Sequence, residues 1–229
     1  KTAIIIHGSL GNPDNHWYQW LKGELEKQRF EVLAPQFPIE EGEQTVANWL
    51  KVLEPMREKM EGGIVVGHSL GAPFIVDLFN EWDVKLKGAF FVGGFIGPHG
   101  AEGVTFEDFS ERDYDWEKIK NSCEHFIVLN SDNDPYVPIE KGKLLAEKLG
   151  VNVVYGNIIH GDISCGDTAS VCHCLQTRSR RRSDTAYTVA YCAGGSDVAG
   201  DRESAAWYFH ISVVFCDDNI QCIAVIIYS

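Results

Sequence analysis

The chain has 229 residues, of which 45% are hydrophobic, so it is long enough to bury the core of one sizeable domain. Its formal net charge of −13 argues against a nucleic-acid partner, because phosphates need a basic face, and against an anionic membrane surface. No run of the sequence approaches the roughly 18 apolar residues that a membrane-spanning helix requires.

The seven cysteines are unevenly distributed, because only Cys123 lies before residue 160. A long segment with a single thiol is typical of the reducing cytoplasm rather than of a secreted disulfide protein. The first residues also lack the apolar core and cleavage site of a signal peptide. We therefore predict a cytoplasmic protein.

Short apolar runs alternate with amphipathic segments along the first part of the chain. The runs predicted as strands are 2–6, 30–37, 64–66, 86–95, 125–130 and 151–155. Helices are predicted from residue 12 onward, over 45–60, after residue 71 and over 139–149, with a loop and short helix at 97–121. This alternation predicts an α/β fold with a doubly wound, mainly parallel sheet and helices on both faces.

The stretch Gly67-His68-Ser69-Leu70-Gly71 lies between the third predicted strand and the helix that follows it. G-x-S-x-G in this context is a nucleophile elbow, in which a strained turn lifts the serine clear of the sheet. Side chains in place of the two glycines would collide with the neighbouring chain. We therefore predict Ser69 as a nucleophile, with a serine in an ordinary strand-to-helix turn as the alternative.

A serine nucleophile needs a base to take its proton and a carboxylate to orient that base. Asp134 is predicted as the carboxylate, because it follows a strand and begins a rigid loop at 134–138. Asp132 is the alternative, and either residue could instead be a solvated turn aspartate.

His160 is predicted as the base from its position just past the last strand, and His173 and His210 are weaker alternatives. The chain order Ser, Asp, His is the order found in α/β-hydrolases. An oxyanion hole needs two backbone donors. The Leu70 amide supplies one, and the Ser9 amide is predicted as the other, with the Leu10 amide as an alternative to Ser9.

Three motifs together carry a family resemblance: the stretch at 7–13 with the aromatic residues at 16–21, the elbow at 67–71, and the loop at 131–138. They resemble the retinoblastoma-binding protein 9/YdeN family of small serine hydrolases. The resemblance covers roughly residues 2–160 and implies a compact α/β-hydrolase fold with a Ser69–Asp134–His160 triad. It further implies activity on small carboxylic esters or amides. We expect that no cofactor is needed and that His16, Trp17 and the segment 97–121 shape the substrate pocket.

The last part of the chain departs from that family, which ends in one helix after the last strand. Residues 161–229 contain six of the seven cysteines, no lysine and an arginine-rich run at 178–182. We predict a catalytic domain at 1–160 and an atypical Cys-rich extension at 161–229, of foreign or out-of-frame origin or else a genuine divergent addition. Cys172-His173-Cys174 has no matching second pair, so no metal site is expected.

The sequence therefore predicts an enzyme, a carboxylesterase-like serine hydrolase that forms an acyl-enzyme on a small ester or amide substrate. The alternative is a catalytically silent α/β-hydrolase scaffold that binds a protein, because a displaced His160 would leave Ser69 without a base. Halide or epoxide chemistry is disfavoured, since such enzymes have an aspartate at the position of Ser69. No oligomeric state is predicted.

Overall fold

A computed structural model of the chain describes residues 1–15, 17–40, 42–101 and 104–155, together with the backbone of four later strands. The chain divides into two compact units, Lys1–Asp162 and Ile163–Ser229. Two of the predicted site residues, His16 and His160, lie outside the described residues, as does the alternative base His173.

The first unit is built on a parallel sheet. Its strands in chain order are β1 (Thr2–Ile6), β2 (Glu31–Leu33), β3 (Ile64–His68), β4 (Leu86–Val92), β5 (Gly100–Ala101), β6 (Val104–Thr105), β7 (Cys123–Asn130) and β8 (Val153–Tyr155). Six of them form one sheet in the order β2-β1-β3-β4-β7-β8, with every neighbouring pair parallel. β5 and β6 form a separate antiparallel hairpin.

Helices connect these strands. They are α1 (Tyr18–Lys27), α2 (Val46–Leu53), α3 (Arg57–Met60), α4 (Gly71–Glu81), α5 (Glu107–Ser110), α6 (Trp116–Asn121) and α7 (Ile139–Leu149). The prediction of an α/β fold with a mainly parallel sheet and helices is confirmed. No helix in the described part of the chain is long and apolar enough to cross a membrane.

Several predicted boundaries differ from the structure. The helix predicted over 45–60 is divided into α2 and α3 by a 3-10 turn at Glu54–Met56. Pro55 in this turn has no amide hydrogen and cannot continue the helical hydrogen-bond ladder. The strand predicted over 30–37 is only β2, and α1 begins at Tyr18, past the predicted helix start.

The core lies between the sheet and α4, the helix that follows the elbow. All five residues of β1 and of β3 are buried, which explains their near-continuous apolar sequences. In the same core, the ring of Phe74 in α4 packs against those of Phe37 and Trp49, with centroids 5.7 and 5.2 Å away. This packing fixes the helix whose first turn carries the nucleophile elbow.

The segment 97–121 was predicted as a loop with one short helix, and it contains the β5-β6 hairpin, α5 and α6. Phe109 of α5 is buried against Trp49, with ring centroids 5.0 Å apart. The Asp108 carboxylate accepts a 2.7 Å hydrogen bond from the Val46 amide at the start of α2. The segment is therefore fixed to α2.

The second unit contains strands β9 (Cys174–Gln176), β10 (Thr188–Ala193), β11 (Phe209–Cys216) and β12 (Cys222–Ile227). They pair in the order β12-β11-β10-β9, and each pairing is antiparallel. The apolar stretches at 206–216 and 220–228 show no clear period, and they largely coincide with β11 and β12.

Candidate active site

Ser69 adopts a backbone conformation that residues other than glycine rarely take, with φ at +52°. Such a conformation costs on the order of 1–3 kcal/mol and persists only when the surroundings enforce it. Here the Ser69 amide donates to the Val92 carbonyl at 2.9 Å, and the Ser69 carbonyl accepts from the Ala72 amide at 3.0 Å. These two bonds fix the serine between the end of β4 and the first turn of α4.

The two elbow glycines are required by close backbone approach. A Cβ on Gly67 would lie 2.6 Å from the carbonyl carbon of Gly71, and one on Gly71 would lie 2.5 Å from the Ile6 carbonyl oxygen. Real side chains do not approach backbone so closely. The predicted reason for these glycines is therefore confirmed.

The loop after β1 lies directly against the nucleophile. A Cβ on Gly8 would be 2.9 Å from the Ser69 Cβ and 3.5 Å from its Oγ. Among the described residues, none forms a hydrogen bond with the Ser69 hydroxyl. The Ser69 side chain therefore lies against this loop without a hydrogen bond to it.

Three of the four successive amides in this loop are engaged. The Gly8 amide donates to the Tyr18 hydroxyl at 3.3 Å, the Leu10 amide to Gln44 Oε1 at 3.2 Å, and the Gly11 amide to the Gly8 carbonyl at 3.2 Å. Within the described ranges, the Ser9 amide has no acceptor, and neither has the Leu70 amide after the nucleophile. The two amides predicted as oxyanion donors are thus both available, whereas the alternative amide of Leu10 is occupied.

His7 fixes the start of the same loop. Its Nε2 accepts the Phe37 amide at 3.0 Å, so Nδ1 carries the hydrogen that is donated to the Gly8 carbonyl at 2.7 Å. Burial lowers the pKa of His7, although the hydrogen bond with Gly8 opposes this. His7 is accordingly a neutral, structural histidine.

His68, next to the nucleophile, is buried and points away from it towards α1. Its Nδ1 forms a 2.6 Å hydrogen bond with the Tyr18 hydroxyl, and its ring lies 5.6 Å from that of the half-buried Trp17. The Tyr18 hydroxyl thus joins the elbow to the Gly8 amide. Burial raises the pKa of Tyr18, so this hydroxyl keeps its proton.

Asp134 follows β7 and is half-buried, whereas Asp132 is exposed. One oxygen of the Asp134 carboxylate accepts the amides of Tyr136 and Val137, at 2.9 and 3.0 Å. These bonds fix the orientation of the carboxylate in the loop. They do not involve Asp132.

Parallel strands bring their carboxyl ends to one edge of the sheet. Ser9, Ser69 and Asp134 follow β1, β3 and β7, so all three lie at that edge. β4 separates β3 from β7, which places those two strands about 10 Å apart. The residues after β8, including His160, are outside the described part of the chain.

Tyr18 and Gln44 were not predicted as site residues. The sequence contained a signal for Tyr18, because its spacing from Leu21 and Leu25 is helical. The structure buries all three residues on one face of α1. The sequence contained no signal for Gln44, since its partners lie 34 and 35 positions away. In the described ranges, no three His, Cys, Asp or Glu residues come together as metal ligands.

The chain is similar in sequence to known hydrolases. A family model described as serine hydrolase matches residues 3–166. YdeN of Bacillus subtilis (strain 168) is 29% identical over 154 residues, which cover 65% of this chain and 79% of YdeN. The rat serine hydrolase RBBP9 is 29% identical over 152 residues, covering 64% of this chain and 79% of the rat protein.

Solved structures show the same fold. The crystal structure of the B. subtilis ydeN gene product matches with a TM-score of 0.63 and 27% identity, covering 69% of this chain and 85% of that chain. An extracellular α/β-hydrolase from a Paenibacillus species matches with a TM-score of 0.50 and 15% identity, over 69% of this chain and 90% of its own. The second match supports the fold alone.

Proposed function

The chain belongs to the serine hydrolase family, and from that premise we propose that it cleaves small carboxylic esters, or amides, through an acyl-enzyme formed on Ser69. One observation carries this proposal. Ser69 has a strained φ of +52°, and the amides of Ser9 and Leu70 both lack an acceptor among the described residues. A strained serine and two backbone donors without acceptors are part of what acyl transfer requires, alongside a base.

In the proposed mechanism, Ser69 Oγ attacks the substrate carbonyl carbon while His160 takes the hydroxyl proton. The amides of Ser9 and Leu70 bind the oxyanion of the tetrahedral intermediate. Collapse of the intermediate expels the alcohol or amine, which takes the proton from His160. Water then repeats the sequence on the acyl-enzyme, and the Asp134 carboxylate orients the imidazole and stabilises its charged form.

The proposed substrate is a small molecule with an apolar part. Support comes from Trp17, which lies half-buried beside the elbow, and from Leu10 and Tyr136, whose side chains are 67% and 59% exposed. Both exposed residues belong to loops that follow strands of the sheet, at the same edge as Ser69. We further propose that His16 and Trp17 border the pocket and that the enzyme works in the cytoplasm.

The test measures hydrolysis of short-chain p-nitrophenyl esters by the wild type and by Ser69→Ala. Loss of the nucleophile should lower kcat by at least about a thousandfold. Ser122→Ala serves as the matched serine variant, because its hydroxyl bonds the Lys118 carbonyl at the end of α6, away from the elbow. Equal turnover by the wild type and Ser69→Ala would overturn the proposal.

A further inference from the structure

Gln44 lies in the segment before α2 and reaches the loop after β1 with its side chain. Its Oε1 accepts two hydrogen bonds, from Ser9 Oγ at 2.9 Å and from the Leu10 amide at 3.2 Å. Both donors belong to the loop in which the Ser9 amide has no acceptor among the described residues. One side-chain oxygen therefore restrains the backbone immediately next to the proposed oxyanion donor.

We propose that Gln44 is a positioning residue for the oxyanion hole. It engages the Leu10 amide and the Ser9 hydroxyl, which leaves the Ser9 amide as the one donor of this loop that faces substrate. Preorganised donors stabilise a developing oxyanion because they need not reorient during the reaction. The inference rests on the proposed function, and Gln44 acts through Ser9 without touching the reacting atoms.

The conformation of Leu10 gives a reason for the restraint. Leu10 has a φ of +54°, which is strained for a residue other than glycine, and its side chain is 67% exposed. Burial therefore does little to hold Leu10 in place. The hydrogen bond from its amide to Gln44 opposes relaxation of the loop, and relaxation would move the neighbouring Ser9 amide.

Gln44 is itself held in a rigid setting. The next residue, Thr45, caps α2 by accepting the Asn48 amide at 3.2 Å on its side chain. The Val46 amide donates to the Asp108 carboxylate of α5 at 2.7 Å. The backbone next to Gln44 is thus fixed by the start of α2 and by a side chain of α5. The Gln44 side chain therefore extends to the loop from a restrained backbone.

The experiment compares the full-length wild type with Gln44→Met, which keeps the length of the side chain and removes the acceptor. Steady-state hydrolysis of a short p-nitrophenyl ester gives kcat and KM. Affinity for a boronic acid that forms a tetrahedral adduct on serine is measured in parallel. Gln28→Met, at the exposed end of α1, is the matched control.

A positioning role predicts that Gln44→Met lowers kcat by about tenfold to a hundredfold with KM changed less than twofold. Boronate affinity should fall by a similar factor. Ser9→Ala, which removes one of the two bonds to Gln44, should lower kcat in the wild type and cause no further loss in Gln44→Met.

Three results would overturn the inference. The first is a kcat for Gln44→Met within twofold of an active wild type. The second is a Gln44→Met variant in which kcat falls, KM rises and the thermal midpoint of unfolding drops together, which indicates a merely structural role. The third is a wild type that hydrolyses no ester and binds no boronate, which removes the proposed function together with the inference.

Discussion

Gly8 in the loop after β1 lies close to the nucleophile. A methyl group there would sit 2.9 Å from the Ser69 Cβ, so Gly8→Ala must displace either the loop or the serine. Displacement by about 1 Å can cost a hundredfold in rate. We expect kcat for p-nitrophenyl esters to fall by about that factor in Gly8→Ala.

Gly23 provides the matched control, because an added Cβ at this position in α1 meets nothing within 4 Å. Gly23→Ala should keep full activity and gain about 0.5–1 kcal/mol in the free energy of unfolding, since alanine favours a helix interior. Unchanged activity in Gly8→Ala would show that the loop does not border the reacting serine.

Tyr18 joins α1 to both the first loop and the elbow through its hydroxyl. Tyr18→Phe keeps the ring in place and removes the acceptor of the Gly8 amide and the partner of His68 Nδ1. A buried polar group that loses its partner costs about 1–3 kcal/mol, and we expect a loss of that size in urea unfolding. A variant as stable as the wild type would show that these bonds contribute nothing net.

At the residue scale, the sequence predicted the elbow because its two glycines and its serine lie within five residues and the reason for them is local. The hydrogen bonds of Gln44 could not be predicted, since they join positions 34 and 35 residues apart. The roles of Asp134 and His160 stay predictions.

α4 is joined to the segment 97–121 by a buried carboxylate. Asp77 is fully buried, and its Oδ1 accepts from Arg112 at 3.3 Å and from the Tyr114 hydroxyl at 3.1 Å. Its Oδ2 has no partner in the described part of the chain. Burial raises the pKa of Asp77 well above its ordinary value, although the Arg112 guanidinium opposes this.

Removal of Arg112 should therefore be costly and pH-dependent. Arg112→Ala leaves a buried carboxylate without its cation, and we expect a loss of about 3 kcal/mol in unfolding free energy near pH 8. The raised pKa means that the folded state binds the proton more tightly than the unfolded chain, so the stability contributed by protonation is lost as pH rises. The penalty should accordingly be smaller near pH 5.

The double variant Arg112→Ala with Asp77→Asn supplies the control for this ion pair. Asparagine keeps an oxygen for the Tyr114 hydroxyl and removes the charge. It should therefore recover most of the unfolding free energy that Arg112→Ala loses, and the difference in that loss between pH 8 and pH 5 should disappear. An equal penalty for Arg112→Ala at both pH values would contradict the account of Asp77.

At the element scale, the existence of the strands and longer helices was predicted more accurately than the residues at which they begin and end. The helix Ile139–Leu149 has the predicted bounds, because Pro138 precedes it and Gly150, with φ at +77°, ends it. Within 97–121 the sequence predicted one short helix, but not the hairpin or the second helix. Each is too short for a periodic pattern, and tertiary contacts such as the bond from Val46 to Asp108 help to fix the segment.

Across the whole molecule, the order of the strands positions the site. The sequence could predict a parallel sheet from alternating elements, and it follows that residues after several strands meet at one edge. The antiparallel strands of the second unit were not predicted, because the apolar stretches there lack a period. Our division into a catalytic domain at 1–160 and an extension at 161–229, of foreign or out-of-frame origin or else a genuine divergent addition, is a proposal.

A truncation tests that division. The chain cut after Gly166 keeps the whole range matched by the serine hydrolase family and omits the strands of the second unit. We expect it to fold cooperatively in urea and to keep ester hydrolysis within a few-fold of the full chain. A truncated chain that is unfolded would show that the extension belongs to the folding unit.

The central claim is that Ser69 is an activated nucleophile, and covalent labelling tests it most directly. The full chain would be treated with a fluorophosphonate, digested and analysed by mass spectrometry. The account predicts one phosphonyl adduct on the peptide that contains Ser69, formed faster than in Gly8→Ala and absent from Ser69→Ala. A folded wild type that remains unlabelled would contradict it and favour a catalytically silent scaffold.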